Sequence, residues 1–153
     1  MTATQRRYVR MEATVSAAIN AAFSVAFVFL VFGGLARVPA DALIFDSLPQ
    51  SFSIAFMATL VPTMLTRKRM RIGAIASAAG RSRLPSNVVL RALVVAVVAA
   101  VIAGLLHRAL LPLGPPEWSF GEVLAYKTVY GALLGAIVGA IAVRSALLDY
   151  HGR

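Results

Sequence analysis

The stretch ATVSAAINAAFSVAFVFLVFGGLA, residues 13–36, contains no charged residue. A hydrocarbon core about 30 Å thick is crossed by roughly 20 helical residues, so this stretch is long enough to cross a bilayer as one α-helix. QRRYVR, residues 5–10, loosely resembles a twin-arginine export signal. The apolar run is nevertheless longer than the roughly 7–15 residues of a signal-peptide core. We therefore interpret residues 13–36 as a retained membrane span.

The composition of the whole chain indicates the same class of protein. Of its 153 residues, 59% are hydrophobic and 14% are charged, against roughly 45–50% and 25% in soluble domains. The mean hydropathy is +0.81. Cysteine is absent, which excludes disulfides, thiolate metal sites and cysteine nucleophiles.

Four apolar stretches predict four spans in a single membrane domain. They cover about residues 13–36, 47–66, 86–110 and 120–147. The linkers RVPADALIFD (37–46) and LPLGPPEWS (111–119) carry helix-breaking residues and are short. Because short linkers join antiparallel neighbours, we expect an all-α transmembrane protein, an up-down four-helix bundle.

The distribution of basic residues predicts the orientation of these spans. If both termini are cytoplasmic, only three basic residues lie on the outer side of the membrane: Arg37, Arg108 and Lys127. This bias follows the positive-inside rule. The basic residues on the inner side are then Arg6, Arg7, Arg10, Arg67, Lys68, Arg69, Arg71, Arg81, Arg83, Arg91, Arg144 and Arg153.

A basic loop, residues 67–85, joins the second and third spans. We interpret it mainly as a topology signal that is also able to attract anionic lipid headgroups. Nucleic acid is not expected as a partner, because the loop has no aromatic residue on which a base could stack. The basic residues concerned are Arg67, Lys68, Arg69, Arg71, Arg81 and Arg83.

The fourth span contains GALLGAIVGA, in which Gly131, Gly135 and Gly139 are spaced by one helical turn. Small residues at this spacing allow another membrane helix to approach closely. The sequence leaves two interpretations open. The strip packs against another helix of the same chain, or it forms an interface in a homo-oligomer or a larger membrane complex.

Polar residues within the spans are candidate transport residues. Asn20 lies between Ser16 and Ser24 on one face of the first span, where hydrogen bonding between helices is the alternative role. His107, Glu122 and Lys127 form a candidate polar cluster near the outer surface. Lys127 either extends outward to the interface or pairs with Glu122, His107 or Asp46.

Two segments resemble a group of small uncharacterised bacterial inner-membrane proteins built from helix pairs, a domain of unknown function. The segments are INAAFSVAFVFLVFGG (19–34) and LPQSFSIAFMATLVPTMLTRKR (48–69). The likeness rests on Asn20, Ser24, Pro62 and the basic stop at 67–69. It implies paired membrane helices and assigns no site or activity. The second half of the chain shares this plan, as a parallel repeat would, but lacks counterparts of Asn20 and Pro62.

No arrangement of residues predicts catalysis or a cofactor. His107 and His151 are far apart and lack the spacing of metal ligands, and no nucleophile or phosphate-loop motif is present. We therefore expect a non-enzymatic protein of the bacterial inner membrane. It serves as a structural, accessory or self-associating component, or alternatively as a small oligomeric channel or transporter.

Overall fold

The computed structural model describes residues 1–149 and shows a bundle of four long helices. All four are long and apolar enough to cross a membrane, which fits the expected all-α bundle and defines a multi-pass membrane protein. The helices are α1 (Ala3–Phe32), α2 (Ala40–Arg71), α3 (Val88–Leu110) and α4 (Phe120–Asp149). Two short strands, β1 (Arg37–Pro39) and β2 (Glu117–Ser119), and a 3-10 turn at Leu111–Leu113 lie between them.

The helix bounds differ from the predicted spans most clearly in α2. This helix begins at Ala40, so Asp46 lies inside a helix and not in a linker, and Pro49 lies in the helix interior. The first helix ends at Phe32, before Gly33, and the third is capped by Asn87, whose side chain accepts from the Leu90 amide at 3.0 Å. Arg153 and His151 lie outside the described residues.

The two ends of the bundle are closed differently. At one end, here called the sheet end, β1 and β2 pair antiparallel with Val38 opposite Trp118. This small sheet was not predicted from the sequence. The Ala40 amide donates to the Pro116 carbonyl at 2.9 Å, so the second linker also fixes the start of α2. The opposite end, here called the terminal end, holds the N-terminus and the loop between α2 and α3.

The helices interlock across the two halves of the chain. Helix α1 packs chiefly on α4, α3 packs chiefly on α2, and α2 and α4 contact each other at the centre. The helices joined by the two short linkers, α1 with α2 and α3 with α4, are therefore not the main packing partners. This arrangement has the symmetry of a repeat. The first helix of each half (α1 or α3) packs on the second helix of the other half (α4 or α2), and the two second helices contact each other.

The glycine strip of α4 explains why α1 packs there. A β-carbon placed on Gly135 would lie 2.7 Å from the β-carbon of Asn20, and one on Gly139 would lie 2.8 Å from that of Ser16. The same construction on Gly131 meets Ser24. The Ser16 hydroxyl donates to the Gly135 carbonyl at 2.8 Å. The strip is thus occupied within the chain, as the first of the two interpretations expected.

Small residues also bring α2 and α3 together. Ala55 and Ala58 of α2 and Ala96 of α3 are buried in one cluster. Ala55 and Ala58 lie one turn apart on α2, Gly131 and Gly135 lie one turn apart on α4, and all four residues are buried. Each central helix therefore offers a narrow face to the first helix of the other half.

The basic loop is fastened to the terminal end. The Gln5 side chain donates to the carbonyls of Ala76 and Ser77 at 3.0 and 3.1 Å. The Ala78 amide donates to the Leu147 carbonyl at 2.8 Å. These bonds hold the loop against α1 and α4.

The close contact of α1 with α4 predicts that Gly135→Ala is destabilising. The new methyl group would lie within 3 Å of three atoms of Asn20, and overpacking costs about 1–3 kcal/mol. We expect a lower melting temperature in detergent. Gly121→Ala is the matched control, because it places the same group in α4 with nothing within 4 Å. Equal melting of the two variants would contradict this packing.

Candidate functional site

An ion pair lies between the two central helices, about two turns from the start of each. Lys127 Nζ of α4 is 2.7 Å from Asp46 Oδ2 of α2, and the two side chains are 0% and 5% exposed. A buried charge that loses its partner typically costs about 3–5 kcal/mol. Each of these groups therefore supplies the partner that makes the other tolerable.

An apolar layer separates this ion pair from the sheet end. Leu43 and Val123 lie about one turn before Asp46 and Lys127 on their helices, and both are fully buried. They belong to one cluster with Val28, Phe32, Val38 and Leu111. Because this cluster covers the pair, we call it the apolar plug. It keeps water at the sheet end away from the two charges.

On the other side of the ion pair, polar side chains continue into the bundle. Gln50 lies one turn after Asp46, and its amide donates to Ser24 Oγ at 3.1 Å. On α1, Asn20 lies one turn before Ser24, toward the terminal end, and its side-chain amide donates to the Ser16 carbonyl at 2.7 Å. We call Gln50, Ser24, Asn20 and Ser16 the polar file. All four are buried between α1, α2 and α4.

His107 of α3 flanks the ion pair. Its Nδ1 is 2.7 Å from the Ala103 carbonyl, so Nδ1 donates and Nε2 carries the lone pair. Within residues 1–149, Nε2 has no hydrogen-bond partner. The ring meets Tyr130 edge-on at a centroid distance of 4.9 Å, and the Tyr130 hydroxyl lies 2.5 Å from Ser51 Oγ. The aromatic rings fill the space between α3 and α4 beside the pair.

Two more ion pairs lie at the terminal end. Arg69 of α2 pairs with Glu12 of α1, and Arg91 of α3 pairs with Asp149 of α4. Arg69 also donates to the Tyr8 hydroxyl at 3.0 Å. The ion pairs found within residues 1–149 thus join α1 to α2, α2 to α4 and α3 to α4. Charge pairing connects all four helices.

The structure separates the residues of the predicted outer cluster. Lys127 and His107 are buried side by side, but Glu122 is exposed on the far side of α4 and caps that helix. Its carboxylate accepts from the Ser119 amide and hydroxyl, both at 2.7 Å. Lys127 does not extend outward, and of its three predicted partners it takes Asp46. Asn20 lies in the polar file, against Gly135.

Sequence reasoning named Asp46 only as one of three possible partners of Lys127 and left it out of the predicted polar cluster, because it placed this residue in a linker and not in a helix. The signal was the spacing of Asp46 and Gln50 by one turn, which puts both polar side chains on one face of a helix. Of the predicted basic residues, Arg69 is taken up by its ion pair, and Arg67 donates to the Ser86 carbonyl at 2.6 Å. Lys68, Arg71, Arg81 and Arg83 form no ion pair within residues 1–149.

Comparison of the chain with models of known protein families, with curated proteins and with solved structures finds no match.

Proposed function

We propose that this protein is a non-enzymatic membrane transporter of small monovalent cations, with the proton as the simplest cargo. The observation that supports the proposal is the Asp46–Lys127 ion pair, buried between the central helices and continued by the polar file. Ionisable residues inside membrane bundles commonly mark ion and proton pathways. Asp46 is the proposed binding carboxylate.

Lys127 acts in this proposal as a built-in competitor for the cargo. Its ammonium group neutralises Asp46 when no cargo is bound. An arriving cation or proton takes the place of the ammonium at the carboxylate, and Lys127 must move away or give up its own proton. His107, whose Nε2 is free of partners within residues 1–149, is placed to accept a proton during this exchange.

The surroundings of the pair are consistent with a gated path. The apolar plug closes the sheet end, while the polar file leads from the pair toward the terminal end. Helix α2 contains Pro49 and Pro62, and a proline within a helix removes a backbone hydrogen bond and favours bending there. Bending of α2 at Pro49 would shift Leu43 and Asp46 together and open the plug.

A second candidate function is that of a structural or accessory component of a homo-oligomer or a larger membrane complex. The observation that favours it is an apolar groove of about 500 Å³ between α3 and α4. Val98, Ile102 and Leu133 are exposed on its walls. A helix of a second copy or of another protein fits such a surface, whereas the glycine strip is already occupied by α1.

We also propose that both termini lie in the cytoplasm of a bacterium and that the protein resides in its inner membrane. The basic residues concentrated at the terminal end support this orientation. We further propose that each half of the chain is a two-helix unit of the kind found in the inner-membrane proteins that the first half resembles. The packing supports this proposal, because the first helix of each half packs on the second helix of the other half.

Reporter fusions test the orientation. Alkaline phosphatase folds only outside the cytoplasm, so fusion after Gly34 or Gly114, both at the sheet end, should give active enzyme. Fusion after Gly73, in the loop at the terminal end, should give inactive enzyme. Activity at Gly73 together with inactivity at Gly34 would show that the orientation is reversed.

Flux into proteoliposomes tests the transport proposal. A membrane potential drives protons into vesicles that contain a pH-sensitive dye, and sodium and potassium are tested as alternative cargo. We expect flux with the wild-type protein and only the protein-free rate with Asp46→Asn/Lys127→Gln. Removing both charges avoids the cost of leaving one of them alone, about 3–5 kcal/mol, so this double variant should remain folded.

The matched control is Glu12→Gln/Arg69→Gln, which removes the ion pair between α1 and α2 at the terminal end. It should keep at least about half of the wild-type flux, because this pair lies beyond the polar file. A purely structural role for Asp46 and Lys127 predicts normal flux in their double variant. The absence of flux of all three cations with the wild-type protein would exclude the transport proposal.

A further inference from the structure

We propose that a groove at the terminal end, formed by Arg6, Arg10 and Arg144, binds the phosphate group of an anionic phospholipid. The groove has a volume of about 610 Å³ and is lined by these residues with Met1 and Val9. It lies between α1 and α4, on a part of the surface separate from the loop that carries Arg67 to Arg83. The inference does not depend on the transport proposal.

The three guanidinium groups are available to a ligand. All three arginines are exposed. None of them pairs with a carboxylate within residues 1–149. Arg6 donates to the Met1 carbonyl at 2.9 Å, which positions its side chain at the groove and leaves most of its donors unused. The groove therefore presents three positive charges from two helices with no built-in counterion among the described residues.

The depth of the groove matches that of lipid headgroups. Arg10 lies three residues before the uncharged stretch that begins at Ala13 of α1, and Arg144 directly follows the uncharged residues 128–143 of α4. The helix of 30 residues that carries Arg10 is about 45 Å long, longer than the hydrocarbon core. Both arginines thus lie where the apolar part of the helix gives way to the interface. Phosphate esters of the bilayer lie at this level.

The apolar surroundings favour a lipid over a soluble anion. Val9 lies in the groove between the arginines and packs on the cluster of Tyr8, Met70, Val143 and Leu147. One turn from Arg144 toward the membrane, Ile141 is 45% exposed. A phosphate that carries acyl chains uses both surfaces, whereas a free phosphate uses the charges alone. Basic pockets between membrane helices bind such headgroups in other proteins.

Native mass spectrometry of the purified full-length protein tests this site. The probes are phosphatidylglycerol and phosphatidylcholine, each added separately as a detergent-solubilised lipid to the purified protein. The wild-type protein should retain one phosphatidylglycerol in preference to phosphatidylcholine. Arg10→Gln/Arg144→Gln should weaken retention of phosphatidylglycerol at least about tenfold, since each basic residue contributes on the order of one power of ten or slightly less.

The control is Arg7→Gln/Arg108→Gln, which removes the same charge from two exposed arginines outside both the groove and the basic loop. It should change retention by less than about twofold. Equal weakening of the two double variants would show diffuse attraction and overturn the site. Displacement of the lipid by excess inorganic phosphate, with no preference for phosphatidylglycerol, would show a soluble-anion site and would also overturn the proposal.

Arg10→Lys/Arg144→Lys keeps the inference testable if the glutamine variant does not fold. Lysine preserves both charges but cannot form the bidentate hydrogen bonds that an arginine guanidinium makes with phosphate. This variant should retain phosphatidylglycerol less tightly than the wild-type protein and still prefer it to phosphatidylcholine. Complete loss of that preference in a folded lysine variant would overturn the inference.

Discussion

A charge buried between membrane helices needs a partner, and the Asp46–Lys127 ion pair meets that need for the two central helices. Both side chains are buried, and Lys127 Nζ lies 2.7 Å from Asp46 Oδ2. Because the pair is buried, α2 and α4 must remain in contact at this depth. The apolar plug lies on the sheet-end side of this ion pair, and the polar file lies on its other side.

Close packing of the outer helices follows from the narrow faces of the central ones. Lipid tails are as apolar as leucine, so membrane helices associate through close fit and hydrogen bonds. Gly135 lets Asn20 approach the backbone of α4, and Ser16 bonds to the carbonyl exposed there. The same strip that suggested an intermolecular interface thus holds the first helix of the chain in place. The interlocked halves leave an apolar groove exposed between α3 and α4.

Much of the fold could be predicted from hydropathy, but the site could be predicted only in part. Spans, glycine strip and the burial of Asn20 follow from residue patterns. The position of Asp46 does not, because pairing of β1 with β2 sets the start of α2 at Ala40, and that pairing is invisible in the local sequence. Glu122 and Lys127 are close in sequence but five positions apart, which places them on different faces of α4. Linker length also cannot tell which helices become packing partners.

A distance measurement in lipid bilayers tests the central claim most directly. Solid-state NMR of protein labelled at the lysine amino nitrogen and the aspartate carboxyl carbon measures the separation of Lys127 Nζ from Asp46 Cγ. A Lys68→Arg background leaves Lys127 as the one labelled lysine. The ion pair predicts strong dipolar coupling, corresponding to about 3–4 Å for a contact of this kind, and loss of that coupling in Asp46→Asn/Lys68→Arg. Absence of coupling in the Lys68→Arg protein would contradict the buried pair and the site built on it.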